Sequence, residues 1–231
     1  MTAMVFRGWH RVSYIEYPGR IATVLFVARC NFHCPFCHNP ELITESESLP
    51  HIDGEEILEY LRKRLGLLDA VCVTGGEPLL WTRELRPFLE KVKELGYLIK
   101  VDTNGSLYEE FLTLEDLVDL WGVDFKVPFA QYDLVGGKGE AVERVLQRVL
   151  KRKTCVEIRT TIYPPFHDLA TLLEMARVLR GASVWYWQNF HCEKTLSPEA
   201  KTVAPYPLSL LEKWRDIINR ELRRDLVTLR L

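Results

Sequence analysis

Three of the six cysteines in this 231-residue chain crowd into eight positions. Cys30, Cys34 and Cys37 form a Cys-x3-Cys-x2-Cys loop directly after an apolar, β-rich run, Ile21–Ala28. A disulfide framework would spread its cysteines more evenly, so the trio points to metal ligation. Three thiolates can hold three irons of a [4Fe–4S] cube, whereas full protein ligation takes four cysteines. The fourth iron is then open, and an open metal position is where a substrate can bind and react. A zinc site of Cys30, Cys34, Cys37 and His38 meets the same spacing, so the trio alone leaves both readings standing.

Other chemistry-bearing residues recur where later strands should end. Thr74-Gly75-Gly76-Glu77-Pro78 offers two glycines that admit a close backbone approach. Its carbonyls and the Glu77 carboxylate suit an ammonium group. Asp102-Thr103-Asn104-Gly105 presents polar groups suited to a ribose or to a carboxylate-bound cation, although Asn-Gly alone is a turn signal. Asp124 and Lys126 place two charges in an apolar segment, and Arg159 does the same further on. Buried charge needs a partner, so a ligand or a mutual ion pair is implied. Cys72 and Cys155 read as core thiols, and Trp185 and Trp187 as sheet packing. Cys192 stands alone, so a second cluster is not expected.

The elements that must position these residues alternate in type. Strands are expected at Ile21–Ala28, Ala70–Thr74, Leu98–Thr103, Gly122–Val127, Cys155–Ile162 and Ser183–Gln188. Helices are expected at Glu55–Leu65 with Asp53 as N-cap, at Arg83–Leu95 closed by Gly96, and at Leu114–Leu120. Glu140–Lys151, Leu169–Leu179 and Leu208–Arg223 complete the helices, with an edge strand at Leu226–Leu231. Six strand–helix pairs imply parallel strands and right-handed crossovers, short of the eight that close a full barrel. The expected fold is α/β, a partial, open (β/α)6 barrel of parallel strands, with a flat doubly wound sheet as the alternative. Residues 1–231 read as one domain, with an N-terminal extension over about 1–20 and a cluster loop over about 29–50. In parallel α/β folds ligands bind at the carboxyl ends of strands, where every motif named here falls.

Composition excludes other classes. The formal net charge is −2, so no global field attracts nucleic acid. Arg144, Arg148, Lys151, Arg152 and Lys153 have helical spacing and read as a solvated face. No apolar run reaches the ~18 residues of a membrane span. The segment MTAMVFRGWHRV lacks the apolar core of a signal peptide, and the expected location is the cytoplasm.

The chain resembles the radical S-adenosylmethionine (SAM) superfamily. Cys30-x3-Cys34-x2-Cys37, with Phe36 before the last cysteine, is similar to its signature, and Gly75-Gly76-Glu77-Pro78 to the element that holds the methionyl amino group. Tyr17-Pro18-Gly19-Arg20 and Cys37-His38-Asn39-Pro40-Glu41-Leu42 most resemble activating enzymes of glycyl radical enzymes, notably activators of anaerobic ribonucleotide reductase. Val27-Ala28-Arg29, before Cys30, departs from the pattern, since many relatives have a small or amide-bearing turn there, often ending in glycine. The resemblance implies a [4Fe–4S] cluster on Cys30, Cys34 and Cys37. It implies SAM contacts by Phe36, Gly75, Gly76, Glu77, Asp102, Thr103, Asn104, Asp124, Lys126, Arg159, Gln188 and His191. It implies a monovalent cation at Asp102 and Asp124. The reaction implied is one-electron cleavage of SAM to methionine and a 5′-deoxyadenosyl radical, with a flavodoxin or ferredoxin as donor and no side chain as acid or base. The substrate implied is a glycine of a partner glycyl radical enzyme. The alternatives are a small molecule such as a purine-derived metabolite, or a structural zinc module.

Overall fold

The computed structural model describes residues 4–151 and 156–230. The chain forms two compact units. One comprises Met1–Asn31, Glu41–Thr103 and Leu107–Trp121; the other comprises Phe32–Pro40, Asn104–Ser106 and Gly122–Leu231.

The first unit opens with β1 (Val5–Phe6), β2 (Gly8–Ser13) and β3 (Ala22–Val27). Next come α1 (Glu41–Thr44), β4 (Ile52–Asp53), α2 (Gly54–Arg62), β5 (Ala70–Gly75), α3 (Thr82–Glu94), β6 (Leu98–Thr103) and α4 (Tyr108–Leu114). Its main strands run in the order β6-β5-β3-β2. β3 pairs parallel with β5 and β5 with β6, with Val24 opposite Cys72 and Cys72 opposite Lys100. β2 pairs antiparallel with β3, a strand the sequence reading left within the N-terminal extension. Phe6, Leu25, Val71, Val73, Ile99 and Val101 are fully buried, as continuous apolar strands covered on both faces must be.

Local signals explain the helix ends. Asp53 caps α2, its side chain accepting from Glu55 N at 2.8 Å, a cap of about 1 kcal/mol. Gly96 closes α3 at φ 86°. The helix expected over Leu114–Leu120 lies earlier, at Tyr108–Leu114. The carboxylate of Asp119 accepts from Ile99 N at 2.8 Å, and Asp119 N donates to Ile99 O at 2.9 Å. Asp119 is thereby committed to β6, and strand β7 begins at Leu120. Phe111 packs on Trp121 at 4.4 Å, the apolar contact that draws the helix toward its own N-terminal side.

The second unit continues with β7 (Leu120–Asp124), which enters it at Gly122, then α5 (Gly139–Lys151), β8 (Val156–Ile162) and α6 (Leu169–Val178). β9 (Trp185–Asn189), α7 (Leu208–Leu222) and β10 (Val227–Arg230) follow. Its strands run in the order β10-β9-β8-β7, with β8–β9 and β9–β10 parallel. Trp185 and Trp187 are fully buried and meet edge to face at 5.3 Å, confirming them as sheet packing. Arg144, Arg148 and Lys151 lie on the outer face of α5; Arg152, Lys153 and Cys155 lie outside the described residues. Among the described residues no helix is long and apolar enough to cross a membrane.

Candidate active site

In the first unit the Gly75–Glu77 turn is fastened to the strand that leads into Cys30. Gly76 N donates to Val27 O at 2.9 Å and Glu77 N to Arg29 O at 2.8 Å. The indole of Trp81 donates to Ala28 O at 2.8 Å. A Cβ on Gly76 would stand 1.9 Å from Arg29 O, and one on Gly75, at φ 111°, would stand 2.6 Å from Val27 O. The glycines therefore admit this chain's own backbone, a stricter demand than the ligand approach read from the sequence.

Glu77 is fully buried. Its Oε1 caps the short 3-10 helix Pro78–Trp81 by accepting from Leu79 N at 3.0 Å. The same oxygen accepts from Thr103 Oγ1 at 2.8 Å, which ties two of the expected site residues together. Asp102 is buried beside Lys100, whose ammonium lies 3.3 Å from its Oδ1. Arg29 sits at φ 66°. That left-handed conformation costs a side-chain-bearing residue about 1–2 kcal/mol and glycine almost nothing, so glycine would be the unstrained residue where this chain has arginine. Arg29 N donates to Leu42 O at 2.8 Å, so the loop carrying Cys30 is tied to α1 where it re-enters the first unit.

In the second unit the remaining cysteines lie on a well-anchored segment. Cys37 N donates to Cys34 O at 3.1 Å, a tight turn that sets the x2 spacing. His33 N donates to Val135 O and Ser197 N to Pro35 O, pinning both sides of Cys34. Phe36 is 4% exposed and packs against Tyr163 at 5.2 Å and Phe166 at 5.9 Å. His38 lies 6.0 Å from His191, ring to ring, and 6.4 Å from Phe190. Burial, reinforced by the nearby His191, Lys126 and Lys194, lowers the His38 pKa.

Asp124, Lys126 and Arg159 come together as one ion group. Arg159 donates from Nε to Asp124 Oδ1 at 3.0 Å, and Lys126 Nζ reaches Oδ2 at 3.2 Å. Burial works to raise the Asp124 pKa, but the two cations outweigh it and hold the carboxyl below its usual range. Asn104 makes an Asx turn, its Oδ1 accepting from Ser106 N and Oγ at 3.0 and 2.6 Å. Gln188 is half-buried on β9, and His191 is exposed just beyond it.

The residue that sequence reasoning missed is His167. Its Nδ1 accepts from Tyr163 N at 2.9 Å, which leaves the proton on Nε2 to donate to Lys126 O at 2.7 Å. Lys126 N in turn donates to Tyr132 Oη at 3.2 Å. The backbone of Lys126 is thus clamped from both sides, by Tyr132 close in sequence and by His167 41 residues away. The local signal of His167 is its position directly before Asp168, which caps α6.

Residues 24–180 match the family described as the Radical SAM superfamily. The chain belongs to that superfamily. Radical SAM enzymes work with a [4Fe–4S] cluster and SAM, which sets aside the zinc reading of the cysteine trio. A Methanocaldococcus jannaschii protein, whose provisional name is glycyl-radical enzyme activating enzyme, is 29% identical over 206 residues, covering 85% of this chain and 83% of that protein. The pyruvate formate-lyase-activating enzyme of Clostridium pasteurianum is 31% identical over 182 residues, covering 72% of this chain and 74% of that enzyme. Among solved structures, Streptococcus suis SuiB matches with a TM-score of 0.68 at 14% identity, over 91% of this chain. The chain spans about half of that structure, 49%. At that identity the likeness shows the fold alone: α/β with mostly parallel strands, the partial barrel of radical SAM enzymes, as expected from the sequence.

The donor set fits the cluster. Cys30, Cys34 and Cys37 lie outside any disulfide, two of them half-buried and Cys34 buried. Among the described residues no three His, Cys, Asp or Glu side chains converge as for a single metal ion. A cube places each thiolate on its own iron and needs no such convergence.

Proposed function

We propose that this radical SAM enzyme generates a glycyl radical on a partner enzyme. The observation that supports the reading is coverage: relatives named as activators align with this chain over most of both lengths. In this reading Cys30, Cys34 and Cys37 hold the cluster, and residues 1–231 act as one radical SAM domain. Gly75–Glu77, Asp102–Asn104, Asp124, Lys126, Arg159, Gln188 and His191 line the SAM site.

When bound, the reduced cluster and SAM supply a hydrogen-abstracting radical from one donated electron, leaving methionine and 5′-deoxyadenosine once the glycine Cα–H is taken. The chain's own part is placement. The Gly76 and Glu77 hydrogen bonds to Val27 and Arg29 fix the turn beside the strand into Cys30. The Tyr132 and His167 clamp fixes Lys126, and Asp124 fixes Arg159. No residue needs to move a proton. A flavodoxin or ferredoxin is the fitting one-electron donor, and a reducible cluster held by cysteines outside disulfides suits the cytoplasm.

The test is anaerobic. Reduced protein, SAM and a candidate glycyl radical enzyme are mixed, and the electron paramagnetic resonance spectrum is recorded. A glycyl doublet on the partner is expected. SAM cleavage accelerated by a small molecule, with no radical on any candidate partner, would replace this reading with a metabolite-directed one.

A further inference from the structure

The inner face of β6 carries charge where its neighbours carry small apolar side chains. Ala22, Val24, Ala70 and Cys72 form a buried group on β3 and β5, with Tyr17 and Leu98 packed against it. Side chains alternate along a strand, so Leu98, Lys100 and Asp102 share one face of β6. Lys100 stands opposite Cys72 in the parallel register and is fully buried. Its ammonium donates to Glu16 O at 2.6 Å and lies 3.3 Å from Asp102 Oδ1. Asp102 is itself only 5% exposed in its side chain.

A fully buried ammonium is retained only where an opposite charge and hydrogen bonds replace its water. Asp102 supplies the charge and Glu16 the carbonyl. A monovalent cation added beside Asp102 would have to share that carboxylate with the Lys100 ammonium in a buried place, which Coulomb repulsion between the two cations opposes. The cation expected at Asp102 from the family resemblance therefore does not fit this chain.

We propose that the Lys100 ammonium is a built-in substitute for that cation, so that SAM binding at Asp102 needs no free Na⁺ or K⁺. Lys100 is a positioning residue in this scheme: its ammonium balances the Asp102 charge, and the Glu16 carbonyl holds Lys100. The inference rests on the assignment of Asp102 to the SAM site.

The experiment is calorimetric titration of SAM into cluster-loaded protein, anaerobically, at constant ionic strength in sodium, potassium or choline chloride. The expected dissociation constant agrees within about twofold across the three salts. Affinity about tenfold weaker in choline, restored by saturating K⁺ or Na⁺, would overturn the proposal. Lys100→Met keeps the stem and removes the charge. It should bind SAM about tenfold more weakly in choline and recover with K⁺ or Na⁺, a response that a purely structural lysine would not give. Wild-type affinity of Lys100→Met in choline also overturns it. Circular dichroism checks that the variant folds; if it does not, the wild-type salt series decides alone. Asp102→Asn separates the underlying assignment, because wild-type SAM affinity in that variant removes Asp102 from the site and the proposal with it.

Discussion

His167 Nε2 donates to the carbonyl oxygen of Lys126 across 2.7 Å, joining the loop after β8 to the end of β7. The bond works because the imidazole is neutral, and burial lowers its pKa to about 4 despite backbone partners that favour the charged form. The unfolded chain has the ordinary value near 6.5, so as pH falls it takes up this proton first. The stability contribution is therefore complete above about pH 6.5 and drains away down to about pH 4, where the folded imidazole also protonates. The whole difference is about 3 kcal/mol. Urea unfolding of the cluster-free, reduced protein between these limits should show the slope, and His167→Gln should lose most of it. An unchanged slope in the variant would assign the effect to another group.

Asp124 binds two cations in the folded chain, and both hold it charged. Asp124→Ala should leave cluster assembly intact while weakening SAM binding about tenfold or more, because Lys126 and Arg159 lose their common anchor. The checks are iron content beside a SAM titration. Equal affinity in wild type and variant would remove Asp124 from the site.

Gly76→Ala tests the backbone fastening. A Cβ at 1.9 Å from a carbonyl oxygen forces the turn off β3, breaking the two hydrogen bonds to Val27 and Arg29. A loss of about 2–4 kcal/mol is expected by thermal or urea unfolding, well above the usual cost of a surface substitution. A melting temperature within a degree of wild type would show that the strands are not so closely held.

Cys34→Ser tests the donor set. Cys34 is a buried thiol between two backbone anchors, so serine fits the space while removing a soft ligand. Anaerobic reconstitution should give about four irons per chain for the wild type and less than about one for the variant. Full iron loading of Cys34→Ser would exclude it as a ligand.

What the sequence determined by itself was the part written in short spacings. The Cys30, Cys34 and Cys37 loop, the alternation of strand and helix, the Asp53 cap and the Gly96 stop all depend on neighbours within a few residues, and the chain carries those relations linearly. The helix over Leu114–Leu120 failed because its apolar spacing was read without Asp119, whose partner, Ile99, lies 20 residues away. The glycines of Gly75–Gly76 were recognised as permitting a close approach, but only the parallel register of β3 and β5 shows that the approaching group is Arg29 O. His167 and Lys100 stayed invisible for the same reason. His167 acts on Lys126 O, 41 residues away, and Lys100 donates to Glu16 O, 84 residues away, partners that only the fold brings near. A hydrogen bond or ion pair between residues distant in sequence leaves no periodicity to read; it exists only once apolar burial has set the strands side by side.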